Sequence, residues 1–244
     1  MLDVEGGRPL DLGRGHPLAG QGGLGGVEVD ADTQQSIVPG LYAVGEVSGG
    51  MHGSNRLGGN SLGDLLVFGK RAGDAAASYV ATLASRPAVR SDEINAAAEE
   101  ALAPFANTGG ENPYSVQYDL QDLMFTLVGI IRTEDEMKRA LAAIEDLKAR
   151  ASRVSVSGGR EYNPAWNTAL DLRSMLTVSE CVALAALERQ ESRGGHTRDD
   201  FPGPDHYWGG LNLVLTDKGG KLKLDRKPLP EMPDDLKQLF EESH

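Results

Sequence analysis

Apolar and polar positions divide the chain into three stretches. Residues 1–26 are Gly-rich and show neither a two-residue nor a 3.6-residue period, so they read as coil. Order begins at Val27-Glu28-Val29-Asp30, a short alternating strand. Gly40-Leu41-Tyr42-Ala43-Val44-Gly45 reads as a buried strand bounded by glycines. A Gly-rich loop over residues 49–60 leads into a helix over about residues 61–84, which Ser61 or Asn60 can cap, with Leu62, Leu65, Leu66, Phe68 and Ala72 as its apolar side. Past Arg86-Pro87 the pattern becomes helical. The spacing predicts an acidic, Ala-rich helix over residues 91–105. A second covers residues 115–131, with Leu120, Leu123, Met124, Leu127 and Ile131 on one side. Thr133-Glu134-Asp135-Glu136 has the form of a capping box and opens a third helix to about Ala151. Pro164 suits the first turn of a long fourth, striped by Leu172, Met175, Leu176, Val182 and Leu187. These helices are expected to pack as a small antiparallel bundle. The remaining tail reads as irregular, with two possible strands over residues 211–215 and 221–224 and a Pro-rich acidic end expected to be poorly ordered.

Composition narrows the chemistry. The formal net charge of -12 repels phosphate backbones and argues against nucleic acid as a partner. No apolar run approaches the roughly 20 residues needed to span a bilayer, and no basic segment followed by an apolar core marks a secretory signal. Cys181 is the single cysteine. It lies in an apolar helical pattern, reads as a buried packing thiol, and cannot form an intrachain disulfide. One thiolate cannot hold an iron–sulfur cluster, and no metal site is expected.

Three motifs compete for a role. Gly20-Gln21-Gly22-Gly23-Leu24-Gly25 spells G-x-G-x-x-G, but coil precedes it and a strand follows. A dinucleotide fingerprint needs the reverse, a strand before and a helix after, so that a helix N-terminus meets the pyrophosphate. Chance in Gly-rich sequence explains it. Pro39-Gly40-Leu41-Tyr42-Ala43-Val44-Gly45-Glu46 is a strand ending in Gly-acid. A glycine there admits a cofactor to the backbone, and a carboxylate just beyond can accept a hydrogen bond from a ribityl hydroxyl. The bland reading is a buried strand with an exposed turn. His52-Gly53-Ser54-Asn55-Arg56-Leu57-Gly58-Gly59-Asn60-Ser61-Leu62 runs from a Gly-rich loop straight into the helix. An arginine among glycines can present its planar fork to a carboxylate. A helix start aimed back at the loop can stabilise negative charge on a reduced flavin. Its rival is a Gly-rich turn with a solvated arginine and an ordinary cap.

The last two motifs resemble the succinate dehydrogenase and fumarate reductase flavoprotein family. So do Leu120-Gln121-Asp122-Leu123-Met124, Val128-Gly129-Ile130-Ile131-Arg132, Thr168-Ala169-Leu170-Asp171-Leu172-Arg173 and the string from Glu191 to Pro202. The resemblance covers about residues 25–202. It implies FAD as cofactor, with Glu46 at the ribityl chain and Asn60, Ser61 and Leu62 at the isoalloxazine. It implies Arg56 on a carboxylate of succinate or fumarate, with His52 in the same pocket, and no catalytic residue is assigned. It also implies an iron–sulfur subunit as electron acceptor, a cytoplasmic place at the inner face of the membrane, and membrane contact only through partner subunits. The expected fold is α/β: residues 25–86 complete a Rossmann-type FAD-binding domain, an all-α helical domain spans 87–202 and a tail covers 203–244, while residues 1–24 stay unmatched. Read alone, the string from Glu191 is a solvated ion-pair cluster locking a chain end; the resemblance implies a structural role near the interface with the FAD-binding domain rather than a catalytic one. The family's N-terminal FAD motif, its flavin-linking histidine and its capping domain are not recognised in the sequence. Its substrate-binding histidine before the Gly-Gly-Val strand is replaced by Gln21, and His16 is out of register. The expectation is therefore a C-terminal portion, inactive alone, behind a foreign start. A non-catalytic truncated product or helical interaction module, and an L-aspartate oxidase-like enzyme, are the alternatives.

Overall fold

The computed structural model describes residues 25–50 and 59–241. The first ordered stretch is built from turns. Val27 makes a parallel bridge to Ser48 and Gln35 an antiparallel bridge to Tyr42, and Gly45–Val47 is a 3-10 turn. The two strands expected here, over residues 27–30 and 40–45, are thus single bridges among the described residues. Within the described residues each pairs at one position, and a strand needs a neighbour along its length.

Helix α1 spans Asn60–Thr82. Neither Ser61 nor Asn60 caps it; Gly59 occupies that place at φ 84°, with no side-chain hydrogen bond. α2 (Ser91–Ala106) and α3 (Pro113–Leu127) follow. α3 ends one turn before the expected limit. Arg132 folds back, and its Nε donates to the carbonyls of Gly129 (2.7 Å) and Val128 (3.2 Å) at that helix end. Ile131–Arg132 becomes β1, ahead of α4 (Glu134–Ala151). The capping box forms: Thr133 Oγ1 accepts from the Glu136 N–H, and Glu136 Oε2 accepts from the Thr133 N–H at 3.1 Å. α5 (Pro164–Glu188) starts at the expected proline, with Asn163 capping the Trp166 N–H.

Helices α3, α4 and α5 pack on one another around Val116, Leu120, Ile144, Leu147, Leu172 and Leu176. These positions recur at helical spacing, so one stripe from each helix leaves water. β2 (Thr197–Arg198) then pairs in parallel with β1. After α6 (His206–Gly209), strands β3 (Leu211–Asp217) and β4 (Leu222–Pro228) form an antiparallel hairpin, and α7 (Asp234–Glu241) ends the described chain. The hairpin bears out the two possible strands of the tail, while the acidic end, expected to be poorly ordered, carries α7. Val214 and Leu215 are fully buried on the hairpin, which gives its strands a core to pair against.

Candidate functional site

The part of the site the structure describes is a turn set against a helix start. Gly26 permits the closest approach: a Cβ there would sit 2.7 Å from the Gly49 nitrogen, so only glycine fits. The Val27 N–H donates to Val47 O at 2.7 Å, and the Gly49 N–H returns to Val27 O at 3.0 Å. Between these bonds the chain turns through Gly45, Glu46 and Val47. Gly45 adopts φ 75°, and a Cβ on it would collide with Leu65 of α1. The turn is closed by Ser48, whose Oγ and N–H both donate to Gly45 O, at 2.7 and 3.0 Å. Glu46 is exposed on this turn.

The sequence-predicted residues Glu46, Asn60, Ser61 and Leu62 are thereby gathered on two packed elements, the 3-10 turn and α1. The helix start carries no capping side chain and no acid in its first turn. Its leading N–H groups and the positive end of its dipole are compatible with negative charge placed before it. Leu62 is exposed beside them. These features fit one edge of a flavin. His52, Arg56, His16 and Gln21 lie outside the described residues, as does nearly all of the G-x-G-x-x-G string.

A second polar centre was read too blandly from sequence. The cluster after Glu191 is buried, not solvated: Glu191, His196 and Arg198 are fully enclosed, and Arg132 and Arg189 nearly so. Arg198 donates through Nη1 to the carbonyls of Ala186 and Leu187 at 3.0 Å, gathering the end of α5. Its other edge grips Asp200 in a two-bond pair at 2.7 Å. Glu191 accepts from Arg189 (2.7 Å), Arg193 (3.0 Å) and the Asp205 N–H (2.9 Å). Burial alone would raise its carboxyl, but these donors outweigh it and hold it below the usual carboxylate range. His196 Nδ1 faces Arg132 Nη1 at 3.0 Å, and Nε2 faces Arg189 O at 3.1 Å. A guanidinium only donates, so Nδ1 accepts and Nε2 carries the proton. Burial, with three arginines nearby, pushes this histidine down to about 4. Each of these groups has its partner within the cluster, so its chemistry is that of a lock. The signal in sequence is the density of charge after a helix; the burial depends on partners brought in from β1, the end of α5 and the residues around α6. Burial likewise pushes the Cys181 thiol up to about 12, as expected of an inert packing thiol.

The chain is similar to known proteins over most of its length. Residues 117–234 match the family model described as fumarate reductase flavoprotein C-term, and residues 16–62 match that of a FAD binding domain. The second match includes the turn, the start of α1 and part of the segment preceding Gly25. The fumarate reductase flavoprotein subunit of Mycobacterium tuberculosis is 34% identical over 215 residues, covering 84% of this chain and 37% of that protein. An uncharacterized FAD-dependent oxidoreductase of Methanocaldococcus jannaschii is 36% identical over 208 residues, 83% of this chain and 36% of that protein. Among solved structures, Mycobacterium smegmatis Sdh1 in complex with UQ1 superposes with a TM-score of 0.84 and 51% identity, covering 90% of this chain and 38% of that one. The chain thus spans little more than a third of the length of these relatives. FAD is the cofactor that the matched domain and these flavoproteins indicate. A fold shared over nine-tenths of the chain, together with both family models, means that the chain belongs to the succinate dehydrogenase and fumarate reductase flavoprotein family, as its C-terminal portion.

Proposed function

We propose that this chain is the C-terminal portion of a FAD-dependent subunit that interconverts succinate and fumarate. The observation that carries the reading is the Glu46 turn seated on the uncapped start of α1 through Gly45 and Leu65. Glu46 would hold the ribityl chain by accepting from its hydroxyls. Asn60, Ser61 and Leu62 would face the isoalloxazine, the first two through backbone N–H groups and the last through apolar contact. FAD, when bound, supplies the hydride chemistry. Arg56 would pair with a substrate carboxylate, fixing the reacting carbon and lowering the barrier by positioning. His52 would line the same pocket. Electrons would pass to an iron–sulfur subunit, through which the protein would sit at the cytoplasmic face of a membrane. Among the described residues no helix is long and apolar enough to cross one.

The described residues offer one wall of a flavin site, so this chain by itself is expected to show no succinate oxidation with added FAD and a dye acceptor. A complete flavoprotein carrying this sequence should oxidise succinate. Arg56→Ala in that protein is expected to lower kcat/KM for succinate by about a hundredfold or more while flavin content stays unchanged. Turnover of L-aspartate but not succinate would replace the reading with an oxidase of that amino acid. Binding of the iron–sulfur subunit without any flavin would replace it with an interaction module.

A further inference from the structure

The hairpin β3–β4 touches both halves of the molecule. On one side it hangs from the helical domain: Arg189 Nη2 donates to Leu211 O at 2.8 Å, and Arg226 Nε pairs with Glu188 at 2.7 Å at the end of α5. Arg226 also lies over the Trp208 ring, 4.8 Å from its centroid. On the other side Lys227 Nζ reaches Glu28 Oε2 at 2.7 Å, across 199 positions of sequence. Glu28 is almost wholly buried, whereas Lys227 is partly exposed. Asn212 stands directly opposite Lys227 in the ladder, hence on the same face. It is buried, and among the described residues its Oδ1 has no hydrogen-bond partner.

Glu28 follows the two residues that clamp the flavin-site turn. Gly26 packs on the backbone of residues 47–49, and Val27 exchanges backbone bonds with Val47 and Gly49. There is no slack in this contact, since even a methyl group at position 26 would meet main-chain atoms. A displacement of Glu28 is therefore passed to the turn that bears Glu46. The geometry points to Glu28 and Lys227 as a positioning pair, through which the C-terminal hairpin holds the Glu46 turn in place for the flavin. The part concerning flavin rests on the proposed function; the mechanical tie does not.

The test uses hydrogen exchange on this chain with Lys227→Met, Glu28→Gln and Lys227→Arg, followed by titration with FAD. Lys227→Met and Glu28→Gln should exchange the Val27 and Gly49 amides about tenfold faster while amides in α4 and α5 keep their wild-type rates. Lys227→Arg, which retains the charge, should restore slow exchange. Unchanged exchange at Gly49 in Lys227→Met, or acceleration spread equally into α4 and α5, would overturn the tie. If the wild-type chain takes up FAD, Lys227→Met should bind it several-fold more weakly and Lys227→Arg normally; equal affinities would overturn the positioning role. If the wild-type chain takes up no FAD, the same comparison is made in a complete flavoprotein carrying this sequence, where equal flavin content in wild type and Lys227→Met would overturn the positioning role, while the exchange data decide the tie.

Discussion

At the scale of single residues, His196 shows how burial turns an ordinary side chain into a pH-dependent one. It is fully enclosed, accepts from Arg132 and donates to Arg189 O. Protonation would remove the acceptor facing Arg132 and set a cation among three guanidinium groups. Its folded pKa near 4 lies below the unfolded 6.5. The unfolded chain therefore binds more protons between those values, and stability must fall as pH drops through that window. The loss amounts to about 3 kcal/mol by pH 4 at most. Denaturant midpoints measured between pH 7 and 5 should decline in the wild type and stay flatter in His196→Gln, whose amide does not titrate. Below that window carboxylates such as Glu191 and Asp200, held low by their arginine partners, add their own losses. A wild-type midpoint independent of pH from 7 to 5 would contradict the buried neutral histidine. The identities of these residues were legible as a charged string, but their burial was not. A string of arginines and acids looks the same in sequence whether water or protein surrounds it.

Elements were read best where a local chemical signal marks their ends. The capping box at Thr133 and Glu136 and the proline opening α5 act within one turn of the chain, so sequence alone carries them. Thr133→Ala should cost about 1 kcal/mol in chemical unfolding, with Thr133→Ser close to wild type. The limits that were misread depend on distant partners. α3 stops early because Arg132 turns back on its carbonyls and Ile131–Arg132 pairs with Thr197–Arg198, 66 positions later. The start of α1 passes over Asn60 and Ser61, both good capping residues, for a left-handed glycine. That choice leaves the first turn without a capping oxygen, the condition that suits a helix end facing a negatively charged group.

On the scale of the whole molecule, the two halves are held differently. The α3–α5 core is enclosed, whereas α1 packs chiefly on the 3-10 turn and buries only Ala72 among its residues. Leu62, Leu65, Leu66 and Val67 face outward. Apolar surface of this kind marks a place of contact with other protein or a ligand. In this chain, Leu66→Gln should change unfolding free energy by less than about 0.5 kcal/mol, because the side chain is already in water. Leu172→Ala, in the bundle core, should cost about 2–5 kcal/mol. Urea titrations of the two variants give the comparison, and a large loss from Leu66→Gln would mean that α1 is covered in solution.

The sequence by itself determined where the main helices lie, the stripes of α3 and α5, the box that starts α4 and the proline that opens α5, because periodicity and turn chemistry act over a few residues. It also carried the family, through the Gly-Glu turn and the loop that ends at Ser61 and Leu62. Only the tertiary structure decided that the strands before α1 shrink to bridges, that the cluster around His196 is dry, and that Lys227 reaches Glu28. The dry cluster and the Lys227–Glu28 pair join segments far apart in the chain, and the bridges are single-position pairings within the described residues, so no local pattern carries them.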